Sequence, residues 1–550
     1  MSKQKATAEA KPKAKSTKSA VAAKAPATRA AKNVVVAPKV NGTPKVMKGT
    51  KTFQRVLIAN RGEIAVRVAR TLRDMGIMPI AVFSDADRGA LHVRACEYAM
   101  HLGPAPARES YLDVEKVLAA AKKAKADAIH PGYGFLSENA GFAQAVADAG
   151  LTFIGPPPAA MRTMGSKTGA REAMKKAGVP VVPGSDGAIP TEEEARKFAD
   201  KIGYPVMLKA SAGGGGKGMR AVYKAEDLAS AYRSARSEAK SAFGDDSVYI
   251  EKVIVRPRHV EIQIFGGPDG KCVWLGEREC SMQRRHQKVI EETPSMAIDE
   301  TIRRKMGEVA CRAGDAVNYV GAGTCEFLVD DTGSFYFLEM NTRLQVEHPV
   351  TELCCGLDLV EAQVKVAQGM PLAFTQDSIR RSGHAIEARI YAEDADRNFM
   401  PAPGHISELV LPHGPGVRVD CGVSSNSEVT RFYDPMIAKV TVWAEDRERA
   451  RRRLQRALDE TAVKGIITNG AFLRRLLDHP DFIRGDYHTG TIGEMLAGPP
   501  ARVADELVDV AVVAAVVNNF RRDSRSLTPG GANAARSLGW RQAAWRGGGG

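Results

Sequence analysis

Three oxygen-bearing side chains lie in or directly after two short apolar runs in the second half of the sequence. Glu326 interrupts the alternating run Gly323–Asp330, and Glu339 and Asn341 follow the run Ser334–Leu338. The alternation predicts a strand in each run. A carboxylate inside such a strand is costly to bury without a partner. Two carboxylates and an amide oxygen suit Mg²⁺, which takes its other ligands from phosphate and water; two structural salt bridges are the alternative.

Three polar residues alternate directly after these ligands. Arg343, Gln345 and Glu347 occupy every second position of the stretch. A cation that holds an anion and a carboxylate that accepts a proton would both lie beside the phosphates of a nucleotide. The stretch therefore predicts phosphate chemistry next to a metal.

A glycine run follows a short apolar strand that carries one lysine. Lys209 lies near the end of this strand, and four glycines and Lys217 come shortly after it. Glycine lets backbone N–H groups approach phosphate oxygens closely, although flexible hinges share this composition. The spacing differs from a Walker A loop, because Lys217 is followed by Gly218 rather than by Ser or Thr. The segment predicts a nucleotide-binding loop of another type.

These segments resemble those of the biotin carboxylase subunits of biotin-dependent acyl-CoA carboxylases, of the acetyl- or propionyl-CoA carboxylase type, which are ATP-grasp enzymes. The resemblance extends from about Phe53 to Gly498. Its most specific motifs are Leu57–Ala65, His130–Asn139, Lys209–Met219, Ser281–Lys288 and Glu339–Glu352. Another ATP-grasp ligase, such as one that makes an acyl phosphate, is the nearest alternative, but such ligases lack the last two motifs.

The resemblance implies an α/β fold, α+β in part, with an ATP-grasp core, an N-terminal α/β domain with a parallel sheet, a small lid domain and a C-terminal mixed domain. Strand and helix patterns that alternate from Arg55 onward independently predict βαβ layering. The expected divisions are a disordered Lys/Ala-rich arm at 1–52, the N-terminal domain at 53–166, the ATP-grasp domain at 167–375 with its lid at about 183–257, the C-terminal domain at 383–498, and a partner-binding or flexible tail at 499–550.

The resemblance also implies a role for each residue that matches a family motif. ATP would contact Lys167, Lys209, Gly214, Gly215, Gly216, Met219, Glu251, Lys252, Ile254, His259, Gln283, His286 and Leu328. Bicarbonate and biotin would contact Lys288, Arg343, Gln345, Val346 and Arg389, and Mg²⁺ or Mn²⁺ would be held by Glu326, Glu339 and Asn341. The catalytic residues would be Glu347 as the base, Lys288, Arg343 and Arg389, the last a lone guanidinium on the polar side of a strand.

The activity that follows from the resemblance is ATP- and bicarbonate-dependent carboxylation of biotin through carboxyphosphate, the first half-reaction of an acyl-CoA carboxylase. Glu172–Lys175 is similar to a biotin-attachment signature, but Gly178 and Pro180 after it predict the end of a helix rather than a hairpin tip. We therefore expect biotin on a separate carrier protein. A carboxyltransferase subunit and a second copy of the chain are the other expected partners.

Charge is concentrated at one end of the chain. The formal net charge is +14, and residues 1–52 hold twelve lysines and one arginine against one acid. A solvated tail explains this composition better than a nucleic-acid-binding arm, although a binding protein whose basic arm is the active part is a second alternative. No C-x-x-C pair occurs among the eight cysteines, so zinc is not expected. No apolar run approaches the ~20 residues of a membrane span. Without a secretion signal we expect reduced thiols and a cytoplasmic protein; a transit peptide in the acid-poor residues 1–52 is the alternative.

Overall fold

The computed structural model describes residues 50–210, 219–243, 245–498 and 505–526. Its first part alternates strands and helices, as the sequence predicts. The elements are β1 (Arg55–Ile58), α1 (Gly62–Asp74), β2 (Met78–Ser84), α2 (Leu91–Arg94), β3 (Tyr98–Gly103), α3 (Val114–Lys123), β4 (Ala128–His130), α4 (Ala140–Asp148), β5 (Thr152–Phe153) and α5 (Pro158–Gly165). The strands form a parallel sheet in the order β3-β2-β1-β4-β5.

The second part is a small antiparallel sheet with its helices. The elements are α6 (Lys167–Lys176), α7 (Glu192–Ile202), β6 (Val206–Ala210), β7 (Met219–Val222), α8 (Leu228–Phe243) and β8 (Val248–Lys252). The strands lie in the order β7-β6-β8. Leu208 and Ile250 are buried in one cluster with Ala195 of α7 and Tyr232 of α8. Lys175 lies inside α6, so the predicted helix at the attachment-like sequence is confirmed.

The remaining described residues build a large sheet, its covering helices and small hairpins. The elements are β9 (Arg258–Gly266), β10 (Cys272–Arg284), β11 (Gln287–Thr293), α9 (Glu300–Asp315), β12 (Gly321–Val329), β13 (Phe335–Asn341), α10 (His348–Cys355), α11 (Leu359–Ala367), β14 (His384–Tyr391), β15 (Glu393–Asp394), β16 (Met400–Pro401), β17 (Gly404–His405), β18 (Glu408–Val410), β19 (Val417–Cys421), β20 (Glu428–Val429), β21 (Met436–Ala444), α12 (Arg447–Glu460), β22 (Ala462–Lys464), α13 (Gly470–Leu477), α14 (Pro480–Arg484), α15 (Thr491–Ala497) and α16 (Asp505–Ser526). Eight strands form one antiparallel sheet in the order β13-β12-β9-β10-β11-β14-β21-β19.

The large sheet has an apolar face and a charged face, as β14 illustrates. On β14, Ile386 and Ile390 are buried in the same cluster as Leu454 of α12. Because successive side chains of a strand alternate between faces, Glu387 and Arg389 project from the opposite face. The apolar face of β14 therefore packs against α12, and its charged side chains project from the other side of the sheet.

The other half of the sheet follows the same rule. Ile262 of β9 and Phe327 of β12 are buried with Val309 of α9, so Glu261 and Glu326, one position away, project from the other face.

Within the described ranges, none of the helices is long and apolar enough to cross a membrane.

Candidate active site

The register of the large sheet places charged residues in one row. Glu339 of β13 lies opposite Glu326 of β12, and Glu326 lies opposite Glu261 of β9. Glu261 in turn lies opposite Arg278 of β10. Residues directly opposite each other on neighbouring strands project from the same face. Three carboxylates in a row repel one another, so the site requires cations among them.

Lys288 supplies much of that positive charge. Its ammonium group donates hydrogen bonds to Glu261 Oε2 at 2.6 Å, to Glu326 Oε1 at 2.9 Å and to Glu347 Oε1 at 2.6 Å. Arg278 is fully buried and donates to Glu261 Oε1 at 2.6 Å. The arrangement connects the row on the strands with Glu347, which lies at the start of α10.

Glu347 has the contacts that keep a carboxylate ionised. It is fully buried, and its second oxygen, Oε2, accepts a hydrogen bond from Arg389 Nη2 at 2.8 Å. Burial alone would raise the pKa of Glu347, but Lys288, Arg389 and Arg278 hold that pKa well below its ordinary value. Glu347 is therefore deprotonated at neutral pH, which is the state that a proton acceptor requires.

The prediction of a lone guanidinium at Arg389 is wrong. All of β14 is buried, and Arg389 Nη2 lies 2.5 Å from Glu291 Oε1 in addition to its bond with Glu347. The face of the strand that carries Arg389 is polar because it faces other charged groups rather than solvent.

The three predicted metal ligands lie together at the β13 edge of the row. Glu326 and Glu339 are cross-strand partners, and Asn341 Nδ2 donates to Glu326 Oε1 at 2.9 Å. Glu339 is exposed, yet burial of its surroundings and the neighbouring Glu326 charge raise the pKa of Glu339. A divalent cation between the two carboxylates would remove this repulsion. The oxygen-rich donor set therefore fits Mg²⁺ or Mn²⁺.

A second group of ligand atoms lies close by. His259, Glu261 and Glu326 present atoms within 4.8 Å of one another, and His259 Nε2 lies 3.1 Å from Glu326 Oε2. Lys288 already donates to both carboxylates of this group. Because that ammonium group supplies a positive charge there, the edge that carries Glu339 and Asn341 offers the better place for a cation.

Arg343 links the metal edge to a cavity. It donates to Asn341 Oδ1 at 3.0 Å, to Gln345 Oε1 at 3.0 Å and to Glu138 Oε2 at 3.0 Å. Arg343, Val346 and Arg389 line a cavity of about 330 Å³. Gln345 Nε2 donates to Glu326 Oε1 at 3.3 Å. The predicted bicarbonate and biotin residues thus meet at one place, close to Glu347.

The other walls of this cavity come from the first part of the chain, from the end of β14, and from the start of β21 with the residues just before it. They are formed by Asn60, Arg61, Gly62, Glu63, Ile64, Tyr133, Gly134, Phe135, Tyr391, Tyr433, Asp434 and Met436. A space lined by three arginines and several aromatic rings suits a small planar substrate that carries a carbonyl oxygen.

Two predicted nucleotide residues form an ion pair on the small sheet. Lys209 Nζ donates to Glu251 Oε2, and Arg171 Nη1 donates to Glu251 Oε1 at 2.8 Å. Lys252 Nζ donates to the carbonyls of Gly203 and Tyr204 at 3.0 and 2.8 Å. The side chains of Glu251 and Lys252 are therefore occupied by protein, which leaves contacts with an adenine ring to the backbone of β8.

Of the remaining predicted nucleotide residues, His259 and Gln283 adjoin the row of carboxylates. Gln283 Nε2 lies 3.2 Å from His259 Nδ1, and both side chains are buried. Leu328 and Ile254 are half-buried. His286 lies in the turn between β10 and β11 with a φ of +68°, next to Arg285 with a φ of +48°. A two-residue hairpin turn of this kind requires positive φ at both central residues, and here Arg285 and His286 stand where asparagine and glycine are more usual.

Some predicted residues lie outside the described part of the chain. Gly214, Gly215 and Gly216 are among the residues that the structure does not describe, and so is the side chain of Lys167. Met219 begins β7 opposite Lys209 and is exposed.

The sequence analysis missed Glu261, Arg278 and Lys439. The first two lie in the row described above, and the Lys439 ammonium group is fully buried behind Val346. A signal was present in each case, because a charged residue stands inside an apolar strand sequence, as in the triplet Glu277-Arg278-Glu279. The sequence alone does not show which carboxylate each of these cations contacts.

Comparison with family sequence models covers most of the chain. Residues 52–161 match the biotin carboxylase N-terminal domain, residues 166–375 match the ATP-binding domain of the carbamoyl-phosphate synthase L chain, and residues 387–494 match the biotin carboxylase C-terminal domain.

Curated relatives agree. The chain is 51% identical over 443 residues to a biotin carboxylase of Nostoc sp., covering 80% of this chain and 99% of the relative. It is 52% identical over 442 residues to the mitochondrial methylcrotonoyl-CoA carboxylase subunit alpha of Rattus norvegicus, covering 80% of this chain but 62% of that longer relative.

Solved structures give the same result. The biotin carboxylase-β,γ-ATP complex from Campylobacter jejuni is 49% identical with a TM-score of 0.75, covering 80% of this chain and 99% of that one. The biotin carboxylase domain dimer of Hydrogenobacter thermophilus 2-oxoglutarate carboxylase, with MgADP, ADP and bicarbonate, is 43% identical with a TM-score of 0.74, covering 81% and 98%. The predicted fold class and enzyme class are confirmed, and the chain belongs to the biotin carboxylase family.

Proposed function

We propose that the chain uses ATP to activate bicarbonate as carboxyphosphate and transfers CO₂ to biotin on a separate carrier protein, as the first half-reaction of an acyl-CoA carboxylase. One observation carries the proposal. The two oxygens of Glu347 are held by Lys288 and Arg389, at 2.6 and 2.8 Å. A single ionised carboxylate thus lies between a cation suited to bicarbonate and a cation suited to biotin.

ATP binds between the small sheet and the charged face of the large one. Lys167, Lys209 and the glycine loop at Gly214, Gly215, Gly216 and Met219 contact its phosphates. The adenine side is formed by Glu251, Lys252, Ile254, His259, Gln283, His286 and Leu328. Glu326, Glu339 and Asn341 would hold Mg²⁺ or Mn²⁺, which neutralises phosphate charge and aligns the γ-phosphoryl group.

Bicarbonate lies between Lys288, Arg343 and the backbone at Gln345–Val346. Glu347 accepts the bicarbonate proton, and the resulting oxyanion attacks the γ-phosphorus while the bond to ADP breaks. General-base help of this kind contributes roughly 10²–10⁴-fold. A larger share comes from charge neutralisation and alignment.

Carboxyphosphate then releases CO₂ and phosphate inside the site. Phosphate takes the N1 proton of biotin, and that nitrogen forms the new bond to CO₂. Arg389 stabilises the negative charge that develops on the ureido oxygen of biotin. Its position on the cavity wall supports this role.

The expected assembly is also a proposal. We propose a biotin carboxyl carrier protein, a carboxyltransferase subunit and a second copy of this chain as partners, in the cytoplasm, with no nucleic-acid partner. The domain divisions at 53–166, 167–375 and 383–498 stay predictions, as do the roles of residues 1–52 and 499–550.

ATP cleavage measured with and without bicarbonate, and carboxylation of free biotin from labelled bicarbonate, test the proposed function. We expect both bicarbonate-dependent ATP cleavage and labelled carboxybiotin. ATP cleavage that ignores bicarbonate but responds to a carboxylic acid would instead indicate an acyl-phosphate-forming ligase.

A further inference from the structure

One buried lysine connects three distant parts of the chain directly behind the cavity. Lys439 of β21 is fully buried, and its Nζ donates to the backbone carbonyl of Val346 at 2.6 Å. The same Nζ lies 3.5 Å from Glu63 Oε1 on α1 and 3.8 Å from Asp420 Oδ2 on β19. The first part of the chain, the segment that carries the base and the last part of the large sheet therefore meet at one ammonium group.

The position of the Lys439 ammonium group costs free energy in two ways. It lies directly opposite Arg389 in the β14–β21 pair, and like charges at such positions repel. Burying an ammonium group is costly as well. Glu63 and Asp420 offset this charge, but Asp420 already pairs with Arg418 at 2.8 Å. The shortest contact of Lys439 is with the Val346 carbonyl rather than with a carboxylate.

That carbonyl belongs to the peptide bond that joins Val346 to the base. A trans peptide unit is planar, so the direction of the Val346 carbonyl fixes the direction of the Glu347 N–H and the position of the Glu347 Cα atom. Val346 also lines the cavity. A displacement of this peptide would move both the backbone proposed to hold bicarbonate and the carboxylate proposed to deprotonate it.

We propose that Lys439 is a positioning residue for the bicarbonate step, which it serves by fixing the Val346–Glu347 peptide rather than by touching substrate. The inference rests on the proposed function and deepens it. It predicts a specific kinetic effect, because the side chains that donate hydrogen bonds to Val346 and Glu347 in the described part of the chain are Lys439, Lys288 and Arg389, none of them proposed to contact ATP.

The test compares Lys439→Met with the wild-type chain in bicarbonate-dependent ATP cleavage without biotin. Loss of a hydrogen bond from a charged donor should raise the KM for bicarbonate by about tenfold or more, while the KM for ATP changes by less than about twofold. Lys464→Met is the matched control, because Lys464 is an exposed lysine paired with Glu408 in the same part of the chain. Its two KM values should equal those of the wild type.

A double variant separates positioning from simple neutralisation of Glu63. Lys439→Met with Glu63→Gln removes the ammonium group and the carboxylate nearest to it, so this variant keeps the test valid where the single variant unfolds. A bicarbonate KM that stays raised, with wild-type thermal unfolding, supports the inference.

Return of the bicarbonate KM to the wild-type value in the double variant would overturn the inference, and so would an equal rise in both KM values. If ATP cleavage by the wild-type protein does not depend on bicarbonate, the proposed function itself is overturned. The two failures are therefore distinguishable.

Discussion

Two lysine–glutamate contacts in this molecule differ in how firmly the lysine is held. In the lid pair, formed by Lys209 and Glu251, the side chains are 26% and 12% exposed. In the sheet cluster, formed by Lys288 with Glu261, Glu326 and Glu347, Lys288 is 12% exposed and Glu347 is fully buried. Lys209 has one carboxylate partner among the described residues, whereas Lys288 has three.

The difference indicates two ways to use a cation. A lysine with a single carboxylate partner has fewer contacts to give up when a phosphate oxygen replaces that partner. A lysine held by three buried carboxylates is already in place, but all three of its N–H donors are engaged, so bicarbonate must replace one of these contacts when it binds. We therefore infer that the lid pair separates when ATP binds, whereas the sheet cluster holds its lysine in place for the chemical step.

The largest effect is expected from breaking the sheet cluster at Glu347. Glu347→Gln keeps the size of the side chain but removes the proton acceptor, so bicarbonate-dependent ATP cleavage should fall by about 10²–10⁴-fold. ATP binding, measured by calorimetry with a non-hydrolysable analogue, should change little. Turnover close to that of the wild type would show that another group accepts the proton.

Arg389→Ala should separate the two halves of the reaction. Removing a cation that stabilises developing charge should lower carboxybiotin formation by about 10²-fold or more. Biotin-free ATP cleavage should fall by less than about tenfold, because Glu347 keeps its hydrogen bond with Lys288. Equal losses of both activities, in a variant with unchanged thermal unfolding, would assign Arg389 to the bicarbonate step instead.

Glu292 of β11 allows the comparison to be extended through the pH dependence of stability. Glu292 is fully buried, and although burial would raise its pKa, hydrogen bonds from His384 and Arg447 lower the pKa to about 2 from 4.5. A carboxyl group whose folded-state pKa is depressed stabilises the fold above its unfolded-state pKa, and this stability is lost as the pH falls from about 4.5 toward 2.

Glu292→Gln should therefore lower the free energy of unfolding at pH 7 by about 3 kcal/mol. The same substitution should flatten the dependence of that free energy on pH between 4.5 and 3, as measured by urea unfolding. An equally steep dependence in the variant would show that other carboxylates dominate acid unfolding.

A smaller effect is expected at the lid pair. Glu251→Gln removes the carboxylate that competes with ATP for Lys209, so the KM for ATP should fall by about two- to fivefold. Glu192→Gln is the control, because Glu192 pairs with Arg233 on α8 and both side chains are exposed. A rise in the KM for ATP in Glu251→Gln alone would mean that the carboxylate holds Lys209 ready for ATP.

No effect is expected at Lys175. Its helix α6 lacks the hairpin tip that biotin attachment requires, and the Lys175 ammonium group pairs with Asp186. Intact-mass spectrometry of the wild-type chain and of Lys175→Arg should show no covalent biotin in either. A mass increase that only the wild type shows would place biotin on this chain.

Local sequence patterns were enough to predict part of the candidate site. The positions of Glu326, Glu339 and Asn341 on or after predicted strands were readable, because strand alternation fixes which face a residue occupies. The structure brings all three together. A resemblance of motifs supplied Arg389 and Lys288, whose meeting with Glu347 no spacing rule predicts.

The remaining residues depended on strand order. Glu261 meets Glu326 because β9 pairs with β12, which begins 55 residues after the end of β9 at Gly266. Lys439 meets Val346 through the packing of β21 beneath the segment after β13. Pairing between strands so far apart in sequence is set by the whole fold, so a local pattern cannot show which buried charges face one another.

The eight-stranded sheet also limits where the protein chain can be truncated. Strand β11 pairs with β14, although β11 belongs to the stretch that matches the ATP-binding model and β14 lies at the start of the biotin carboxylase C-terminal match. A chain cut between residues 375 and 384 would leave each fragment with an unpaired strand edge and part of an exposed core, the condition that favours aggregation. We therefore expect the two stretches to fold as one unit, so fusions and truncations belong before β9 or after β21 rather than at the boundary between the two matches.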